Sequence, residues 1–411
     1  MALNLFISAG EASGEHYGAL LVSELREQLA ATGHAATFFG MGGQRMAAAG
    51  LDVVVRSEDM AVMGLTEVIH HLPRIYGEFR KLKKAIRQRR PDVAVLIDFP
   101  EIHFRLAKEL HRLGVPVIFF VSPQLWAWKK HRIKLVRKYV DKMLVIFPFE
   151  EPFYREQGVE AEFVGHPLAE LPQPAIGREE FAGQNGLDPA KTWIGLLPGS
   201  RAREIRDILP EMMQAAGILL RDGPIDGSSG AQFVLPLAPT LSATQRAEVE
   251  RIVAAAPPYL QIRLVDDART ALFHARVSVV ASGTATVEAA LIGNPFVVVY
   301  RVSPITYAIA KRVVKVPHVA MVNLIAGKRV VTELIQNDFT ASNIVREVEL
   351  LLPDGAPRQS MMQELRRIHG LLNSRPAVPG QTCGAIRRVA AITLEQIGID
   401  SRVRPEQQVR S

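Results

Sequence analysis

Short apolar segments alternate with longer amphipathic ones along this chain, and this pattern is compatible with few folds. Val93–Ile97 and Phe296–Tyr300 are apolar throughout, which is typical of parallel strands that are covered on both faces. Between such segments, residues 16–31 place leucines at positions 20, 21, 25 and 29, which is the spacing of one helix face. Strands that alternate with helices in this way predict an α/β protein with parallel sheets.

The alternation runs through the chain twice, on either side of a proline-spaced segment that begins at Gly165. The predicted strands are Leu3–Ser8, Ala36–Phe39, Val93–Ile97, Val115–Val121 and Met143–Phe147, followed by Trp193–Leu197, Phe233–Pro236, Ile262–Val265, Val277–Ala281 and Phe296–Tyr300. We therefore predict one Rossmann-like domain over residues 1–168, a second over residues 169–375, and a C-terminal helix within residues 376–411. Because ligands bind beyond the carboxyl ends of parallel strands, two such domains facing each other would hold ligands in a cleft.

Composition excludes several classes of protein. With 48% hydrophobic and 22% charged residues, the chain of 411 residues can bury a core for each domain. Its single cysteine, Cys383, excludes an intramolecular disulfide and a cysteine metal cluster, which fits a reducing compartment. We expect no signal peptide, because no basic region precedes the first apolar run. No apolar stretch reaches the ~18 residues of a membrane-spanning helix.

The segment Val277–Tyr300 has the order strand, small-residue turn, short helix, strand. Its turn, Ser282-Gly283-Thr284, would present backbone N–H groups and the positive end of a helix to a phosphate or diphosphate. Glu288 follows about one helical turn later, where its carboxylate could bind the hydroxyl groups of a ribose. The same pattern also fits an ordinary helix of an α/β sheet, with Glu288 in solvent.

Asp98 ends the apolar strand Val93–Ile97. A carboxylate at the carboxyl end of a parallel strand points towards the ligand crevice, and the stiff strand would support it as a general base. The alternative is an aspartate that caps the next helix or fixes the loop. Glu101 and His103 lie close by in the sequence, and the pattern alone does not choose among the three.

The turn Leu197–Arg201 is a second candidate for phosphate binding. Gly199 would let a ligand approach the backbone, and the planar guanidinium of Arg201 suits a phosphate; a surface arginine at a helix start is the alternative. The turn lacks the Gly-Lys-Ser/Thr ending of a P-loop. The run Gly40–Arg45 lacks the last glycine of the dinucleotide fingerprint and does not follow the first strand, so a nicotinamide cofactor is not expected.

Positive charges exceed negative ones by 7, and the excess is concentrated in two stretches. The first includes Lys81, Lys83 and Lys84 and follows an apolar segment with Met60, Val62 and Met63, and the second covers residues 129–138 and follows Trp126 and Trp128. Apolar or aromatic tips beside cations predict contact with an anionic membrane surface. Nucleic acid and a plain solvated helix face are the alternatives. The histidines do not have the spacing of metal ligands.

Several stretches taken together resemble the lipid-A-disaccharide synthase family, which consists of inverting glycosyltransferases with two Rossmann-like domains (the GT-B fold). They are Ala9–Glu15, Ala61–Gly64, Ile97–Glu101, Val121–Trp128, Gly165–His166, Leu197–Arg201, Ala281–Glu288 and Val322–Gly327. They cover roughly residues 3–395 in the family's order, and the Ser-Pro-x-x-Trp-Ala-Trp run that begins at Ser122 is the most specific of them.

The resemblance implies a reaction between two acylated sugars. UDP-2,3-diacylglucosamine would be condensed with 2,3-diacylglucosamine 1-phosphate, giving a beta-1,6-linked lipid A disaccharide 1-phosphate and UDP. The 6-hydroxyl of the acceptor would attack the anomeric carbon of the donor with inversion. Such an enzyme would work in the cytoplasm, peripherally on the inner face of the bacterial inner membrane, without a cofactor, a metal or nucleic acid. Members of the family also form homodimers by exchanging C-terminal helices, so the helix within residues 376–411 would either return to the N-terminal domain or be exchanged with a partner chain.

The resemblance also implies that residues 1–168 form the acceptor and membrane side and residues 169–375 the UDP-sugar donor side, and it implies roles for individual residues. Asp98 would be the general base, and the acceptor side would carry Gly14, Glu15, Glu101, Ser122 and Trp126. The donor would be bound by Arg201, Ser282, Gly283, Thr284, Glu288 and Asn323. The membrane would be contacted by Met60, Val62, Met63, Lys81, Lys83 and Lys84.

The chain departs from the family's pattern mainly on the predicted acceptor side. Glu15 stands where an aspartate is common, Glu101 and His103 stand where aspartate and asparagine are common, and Gln124 replaces a serine. We expect Glu101 and His103 to line the acceptor site. The alternative function is a UDP-sugar epimerase of the same two-domain shape, which would act without a lipid acceptor. A dehydrogenase is disfavoured by the broken glycine fingerprint.

Overall fold

The computed structural model describes residues 2–60, 65–221, 230–257, 259–313, 316–374 and 384–399. The chain forms two compact units, one of residues 1–170 with 372–411 and the other of residues 171–371. The predicted division after residue 168 lies close to the first of these boundaries. The structure assigns the C-terminal residues to the first unit, and the family-based expectation of acceptor and donor sides remains a prediction.

The N-terminal unit contains a seven-stranded sheet in the order β3-β2-β1-β4-β5-β6-β7. Its strands are β1 (Leu3–Ala9), β2 (Ala36–Gly42), β3 (Asp52–Arg56), β4 (Val93–Ile97), β5 (Val117–Phe120), β6 (Lys142–Val145) and β7 (Ala161–Phe163). All pairings between these strands are parallel. Two short strands, β3 and β7, were not predicted, because β3 mixes charged ends with valines and β7 has only three residues.

Helices cover both faces of this sheet. They are α1 (Ala12–Ala31), α2 (Gln44–Ala49), α3 (Ser57–Met60), α4 (Leu65–Arg89), α5 (Pro100–Arg112), α6 (Ile133–Tyr139), α7 (Glu150–Glu156) and, from the end of the chain, α17 (Ala385–Glu395). Short 3-10 helices lie at Lys130–Arg132 and Pro167–Glu170. Helix α17 packs against α1 of its own chain, within the apolar cluster that also holds Leu5 and Ile7.

The sheet has an apolar core on each face because successive strand residues point to opposite sides. In β1, Leu5 and Ile7 belong to the cluster under α1 and α17, whereas Phe6 belongs to the cluster under α4 and α5. All three side chains are fully buried, and each burial is worth about 1.5–3 kcal/mol. This packing fixes the carboxyl ends of β1 and β4, from which the candidate site is built.

The C-terminal unit repeats the arrangement with a six-stranded sheet in the order β10-β9-β8-β11-β12-β13. Its strands are β8 (Thr192–Leu197), β9 (Ala231–Pro236), β10 (Ile262–Val265), β11 (Val277–Ala281), β12 (Phe296–Tyr300) and β13 (Glu333–Ile335), the last of which was not predicted. Its helices are α8 (Arg178–Asn185), α9 (Ala202–Arg221), α10 (Ala243–Ala254), α11 (Ala268–His274), α12 (Thr284–Ile292), α13 (Pro304–Val313), α14 (Met321–Ala326), α15 (Ala341–Leu351) and α16 (Ala356–Leu372), with a 3-10 helix at Gln336–Asp338.

The strand order of each sheet confirms the predicted α/β class with two parallel-sheet domains and C-terminal helices. In each sheet the order reverses between two central strands, β1 and β4 in one unit and β8 and β11 in the other. Ligands of doubly wound folds bind outside the carboxyl ends of the strands at this reversal. Among the described residues, no helix combines the length and apolar character needed to cross a membrane.

Candidate active site

Asp98 directly follows β4 at the strand reversal of the N-terminal unit. Its backbone is left-handed, with φ 52°, and the next residue, Phe99, has φ 50°. The Asp98 N–H donates to the carbonyl oxygen of Phe120 at 2.9 Å, which anchors the turn to the neighbouring strand. This sharp turn takes the chain from the strand into α5 and leaves the Asp98 carboxyl group at the end of the sheet.

The surroundings of Asp98 favour its neutral form. Burial raises the pKa of this carboxyl group to about 7, and the negative charge of Glu11 adds to the rise. A hydrogen bond from the N–H of Phe99 acts in the opposite direction on the pKa but does not cancel the other two effects. A carboxyl group with a pKa near 7 can accept and release a proton at neutral pH, which general acid–base catalysis requires.

A glycine is required at position 10, beside this turn, because the ring of Phe99 packs directly against the backbone there. A Cβ atom at position 10 would overlap that ring. The predicted acceptor-side residue Gly14 is buried, but a Cβ atom there would make ordinary contacts, 3.5 Å from the Ile97 carbonyl oxygen. Gly10, rather than Gly14, is therefore the glycine of this segment that the local packing demands.

Glu15, another predicted acceptor-side residue, binds the backbone of a neighbouring turn. Its Oε1 accepts a hydrogen bond from the backbone N–H of Arg45 at 2.9 Å, at the start of α2. Gly43 leaves room for this carboxylate, since a Cβ atom there would overlap it. Glu15 thus fixes the turn between β2 and α2, which is a role that does not require the aspartate common in the family.

Glu101 lies in the first turn of α5 and is paired with the second basic stretch. Its two carboxylate oxygens lie 2.9 Å from Lys129 Nζ and 2.7 Å from Arg132 Nη2. Hydrogen bonds from Arg132, together with Lys129, lower the pKa of Glu101 to about 2. Glu101 therefore stays ionised and differs in this respect from Asp98, three residues earlier.

His103, which we expected to line the acceptor site, lies in the interior of the N-terminal unit. Its ring is fully buried and lies between the main chain of Asp98 and the side chain of Ser8. Nδ1 is 2.5 Å from the carbonyl oxygen of Asp98, and Nε2 is 2.9 Å from Oγ of Ser8 on β1. Burial lowers the pKa of the ring to about 4, so it is neutral at neutral pH.

Ser122 and Trp126 belong to the loop that follows β5, and side chains of α7 hold this loop in place. The Ser122 hydroxyl is buried and lies 2.8 Å from the hydroxyl of Tyr154. The indole N–H of Trp126 donates to Glu150 at 3.1 Å, and the indole ring meets Phe149 edge-on at 5.1 Å between centroids. Burial raises the pKa of Glu150 to about 8. The Ser122 hydroxyl faces this internal network, so a direct contact of that group with an acceptor is not supported.

In the C-terminal unit, the turn Ser282–Thr284 joins β11 to α12 as predicted. The Ser282 N–H is bonded to the Val299 carbonyl oxygen at 2.9 Å, whereas Gly283 and Thr284 are exposed. No side chain of the described residues caps α12 at this end, and the first N–H groups of a helix have no partner within the helix. The turn is therefore suited to bind an anion.

The turn at Arg201 differs from the turn Ser282–Thr284, because a carboxylate of the protein itself, that of Glu204, already binds its backbone N–H groups. The carboxylate of Glu204 accepts from the backbone N–H groups of Ser200 at 3.2 Å and Arg201 at 3.3 Å. The same carboxylate lies 3.1 Å from the Arg201 guanidinium, whose side chain is 53% exposed. Gly199, with φ 112°, leaves room for it, since a Cβ atom there would lie 2.5 Å from Glu204. The guanidinium group of Arg201 therefore remains accessible to a ligand although it is paired with Glu204.

Glu288 lies on α12 and faces α11 rather than open solvent. Its Oε1 is 3.7 Å from Nη1 of Arg269, and both side chains are about four-fifths buried. Burial raises the pKa of Glu288, while Arg269 lowers it and Asp267 raises it further. Nη1 of Arg269 is buried and makes no hydrogen bond among the described residues, so its charge is balanced only by the ion pair with Glu288.

Asn323, predicted to contact the donor, is instead buried within its own loop. Its Nδ2 donates to the Val331 carbonyl oxygen at 2.9 Å and to Glu333 at 2.8 Å, and its Oδ1 accepts from the N–H groups of Val330 and Val331 at 2.7 and 3.0 Å. All four hydrogen bonds are internal. A direct contact with the donor is therefore not supported, because the amide is already satisfied.

The predicted membrane-facing residues fall into three groups. Met60 is 3% exposed and packs in the core under α4, so a membrane contact by its side chain is not supported. Val62 and Met63 lie outside the described residues. Lys81, Lys83 and Lys84 all lie on α4.

The three lysines of α4 differ in their surroundings. Lys81 is 62% exposed and paired with Glu78 on the same helix, whereas Lys83 is only 28% exposed and paired at 3.0 Å with the buried Glu109. Lys84 is exposed. Lys81 and Lys84 are thus accessible to a surface, whereas Lys83 helps to hold α4 on α5.

Several residues that contact or influence the predicted site residues of either unit were not identified from the sequence. Glu11 shifts the pKa of Asp98, Ser8 bonds His103, Glu150 holds Trp126, and Glu204 occupies the Arg201 turn. Glu150 and Glu204 have a local signal, since each is an acid in the first turn of a helix. Across the described parts of the chain, no group of three or more His, Cys, Asp or Glu side chains could hold a metal ion.

The structure is similar to solved glycosyltransferases and epimerases. A putative UDP-N-acetylglucosamine 2-epimerase from Listeria monocytogenes aligns over 100% of both chains with a TM-score of 0.59 and 13% identity. A calicheamicin glycosyltransferase aligns over 98% of this chain and 100% of its own with a TM-score of 0.57 and 18% identity. At these identities the likeness establishes the two-domain fold only.

Sequence comparison identifies the family. The family profile described as lipid-A-disaccharide synthetase matches residues 5–377. A lipid-A-disaccharide synthase of Acidobacterium capsulatum is 57% identical over 98% of this chain and 99% of its own, and one of Koribacter versatilis is 52% identical over 90% and 94%. The chain therefore belongs to the lipid-A-disaccharide synthase family and is a glycosyltransferase of lipid A biosynthesis.

Proposed function

We propose that this glycosyltransferase joins UDP-2,3-diacylglucosamine to 2,3-diacylglucosamine 1-phosphate, and that Asp98 is the general base. The observation that carries the base assignment is the buried carboxyl group of Asp98 at the strand reversal, with a pKa near 7. The neighbouring candidates fit less well, because Glu101 is held ionised by two cations and the His103 ring is bonded on both nitrogens.

In the proposed step, ionised Asp98 takes the proton of the acceptor's 6-hydroxyl group. The hydroxyl oxygen forms a bond to the anomeric carbon of the donor as the bond from that carbon to the diphosphate oxygen breaks. The bonding electrons leave with UDP, and attack from the opposite side inverts the anomeric centre. The role needs a base whose pKa is near the working pH, which the burial of Asp98 supplies.

The donor diphosphate would be bound by the exposed turn Ser282–Thr284 and by Arg201. Support comes from the uncapped end of α12 and from the exposed guanidinium of Arg201. Charge that develops on the leaving diphosphate would be stabilised by these fixed donors. Glu288, paired with Arg269, would accept hydrogen bonds from the ribose.

The reaction is tested by measuring UDP release with the donor in detergent, with and without the acylated sugar 1-phosphate. We expect release only when the acceptor is present, together with a disaccharide product. Release of UDP without the acceptor, or conversion of the donor into an epimer, would contradict the proposed substrates. The second outcome would favour the epimerase alternative, for which the fold is also known.

The base assignment is tested with Asp98→Asn. We expect kcat to fall by about 10²–10⁴-fold, the usual contribution of a general base, while UDP binding stays within about threefold of wild type. Asp52→Asn is the matched control, because Asp52 is an exposed aspartate of β3 in the same unit, paired with Arg89. Near-wild-type turnover by Asp98→Asn would remove the base role from this residue.

We further propose that α4 and the Trp128 loop contact the anionic inner face of the bacterial inner membrane, where the acylated substrates reside. Support comes from exposed aromatic rings beside cations. Tyr76 is 61% exposed, with Arg80 5.9 Å from its ring centroid, and Trp128 is 44% exposed, with Lys129 at 4.0 Å. Aromatic side chains with adjacent cations suit the headgroup region of a membrane.

The membrane proposal is tested by co-sedimentation with liposomes that contain anionic phospholipid. Reversal of Arg80, Lys81 and Lys84 to Glu should weaken binding, and wild-type binding should fall as salt rises. Lys83 is left unchanged because its reversal would place a second carboxylate beside that of the buried Glu109. The control reverses three exposed arginines of the other unit, Arg251, Arg329 and Arg346. Equal loss in both triple variants would contradict a specific membrane face.

A further inference from the structure

The buried ring of His103 connects the backbone of Asp98 to the neighbouring strand. A carbonyl oxygen can only accept a hydrogen bond, so the 2.5 Å contact with the Asp98 carbonyl oxygen requires a proton on Nδ1. In the neutral ring Nε2 then carries no proton and accepts from the Ser8 hydroxyl at 2.9 Å. Ser8 is fully buried on β1, where it lies beside Leu96 of β4.

This connection stabilises an unfavourable backbone conformation. Asp98 and Phe99 have φ values of 52° and 50°, a region that is unfavourable for residues other than glycine. Such a pair persists only when its surroundings hold it in place. His103 contacts both residues, since it bonds the Asp98 carbonyl oxygen and its ring meets the Phe99 ring edge-on at 5.9 Å between centroids.

We infer that His103 is a positioning residue for the glycosyl transfer, because its two hydrogen bonds hold the left-handed turn that directs the Asp98 carboxyl group. The inference deepens the proposed function and rests on the base role of Asp98. His103 does not touch a substrate, because its side chain is fully buried. The side chain of asparagine also carries an NH2 donor group and a carbonyl acceptor, so it can supply a hydrogen bond of each kind.

The test compares His103→Leu, which removes both hydrogen bonds, with His103→Asn, which keeps a donor and an acceptor. For His103→Leu we expect kcat to fall about 100-fold, the effect of a misplacement of about 1 Å, while KM for each substrate stays within about threefold. His103→Asn should recover at least about tenfold of this loss. Phe104→Leu is the control for stability, because Phe104 is the adjacent buried side chain of α5.

A double-variant cycle separates this inference from the base assignment. If His103 acts through Asp98, adding His103→Leu to Asp98→Asn should lower kcat by less than about threefold beyond Asp98→Asn alone. Near-wild-type turnover by Asp98→Asn would overturn the base role itself. If Asp98→Asn lowers kcat as expected, the positioning role alone is overturned by any of three results: losses that multiply, His103→Leu no worse than Phe104→Leu, or His103→Asn no better than His103→Leu.

Discussion

Replacement of Asp98 by Asn should stabilise the folded protein at high pH while it removes activity. Burial and the charge of Glu11 raise the pKa of Asp98 from 3.8 to about 7. For a carboxyl group whose folded pKa is raised, stability is full below the ordinary pKa and is lost as pH rises towards the folded pKa. The neutral amide of Asn has no such dependence and can still accept the hydrogen bond from the N–H of Phe99.

The size of the effect follows from the interval between the two pKa values. Each pKa unit corresponds to about 1.4 kcal/mol, so ionised Asp98 lowers the free energy of unfolding by at most about 4 kcal/mol above pH 7 and by about 1 kcal/mol near pH 4.5. Water that reaches the carboxyl group reduces both values. We therefore expect the advantage of Asp98→Asn over wild type to grow by at least about 1 kcal/mol between about pH 4.5 and about pH 8.

Urea unfolding at these two pH values, followed by circular dichroism, measures the difference. The exposed aspartate variant Asp52→Asn serves as the control and should give the same difference from wild type at both pH values. An Asp98→Asn advantage that is absent, or equal at the two pH values, would refute the argument that burial of this carboxyl group raises its pKa.

Three further predictions concern neighbouring residues. Glu11→Gln should move the acidic limb of the kcat/KM profile to lower pH, because loss of the negative charge lowers the pKa of Asp98; an unmoved limb in a pH-rate series would contradict this coupling. Gly10→Ala should destabilise the protein by about 1–3 kcal/mol in thermal unfolding, since the new Cβ would displace the Phe99 ring, whereas a wild-type melting temperature would show that the ring moves freely. Asn323→Ala should cost about 2–3 kcal/mol, because two backbone N–H groups lose their buried acceptor, and unchanged hydrogen exchange of residues 330–331 would argue against this.

The periodic apolar pattern was sufficient to predict the α/β class and most of the strands. Val93–Ile97, Val277–Ala281 and Phe296–Tyr300 were predicted with the bounds that the structure has. The strands that were missed, such as β7 and β13, have three residues each and are too short for a periodic signal. They form through pairing with a neighbouring strand, which is a contact distant in sequence.

The family motifs located the candidate site but did not distinguish among its polar residues. Asp98, Glu101 and His103 lie within six consecutive positions, yet one is a buried carboxyl group with a pKa near 7, one is an ion-paired surface acid, and one is a neutral buried ring. Asn323 also looked like a ligand-binding residue, although its hydrogen bonds are internal.

Local periodicity and short motifs were thus sufficient to predict the fold class, the family and the strand ends at which chemistry is expected. The protonation and the role of each side chain there followed only from the folded chain, because a pKa and a hydrogen-bond partner depend on burial and on groups from distant parts of the chain. Ser8 and His103, for example, are 95 positions apart in sequence and 2.9 Å apart in the fold.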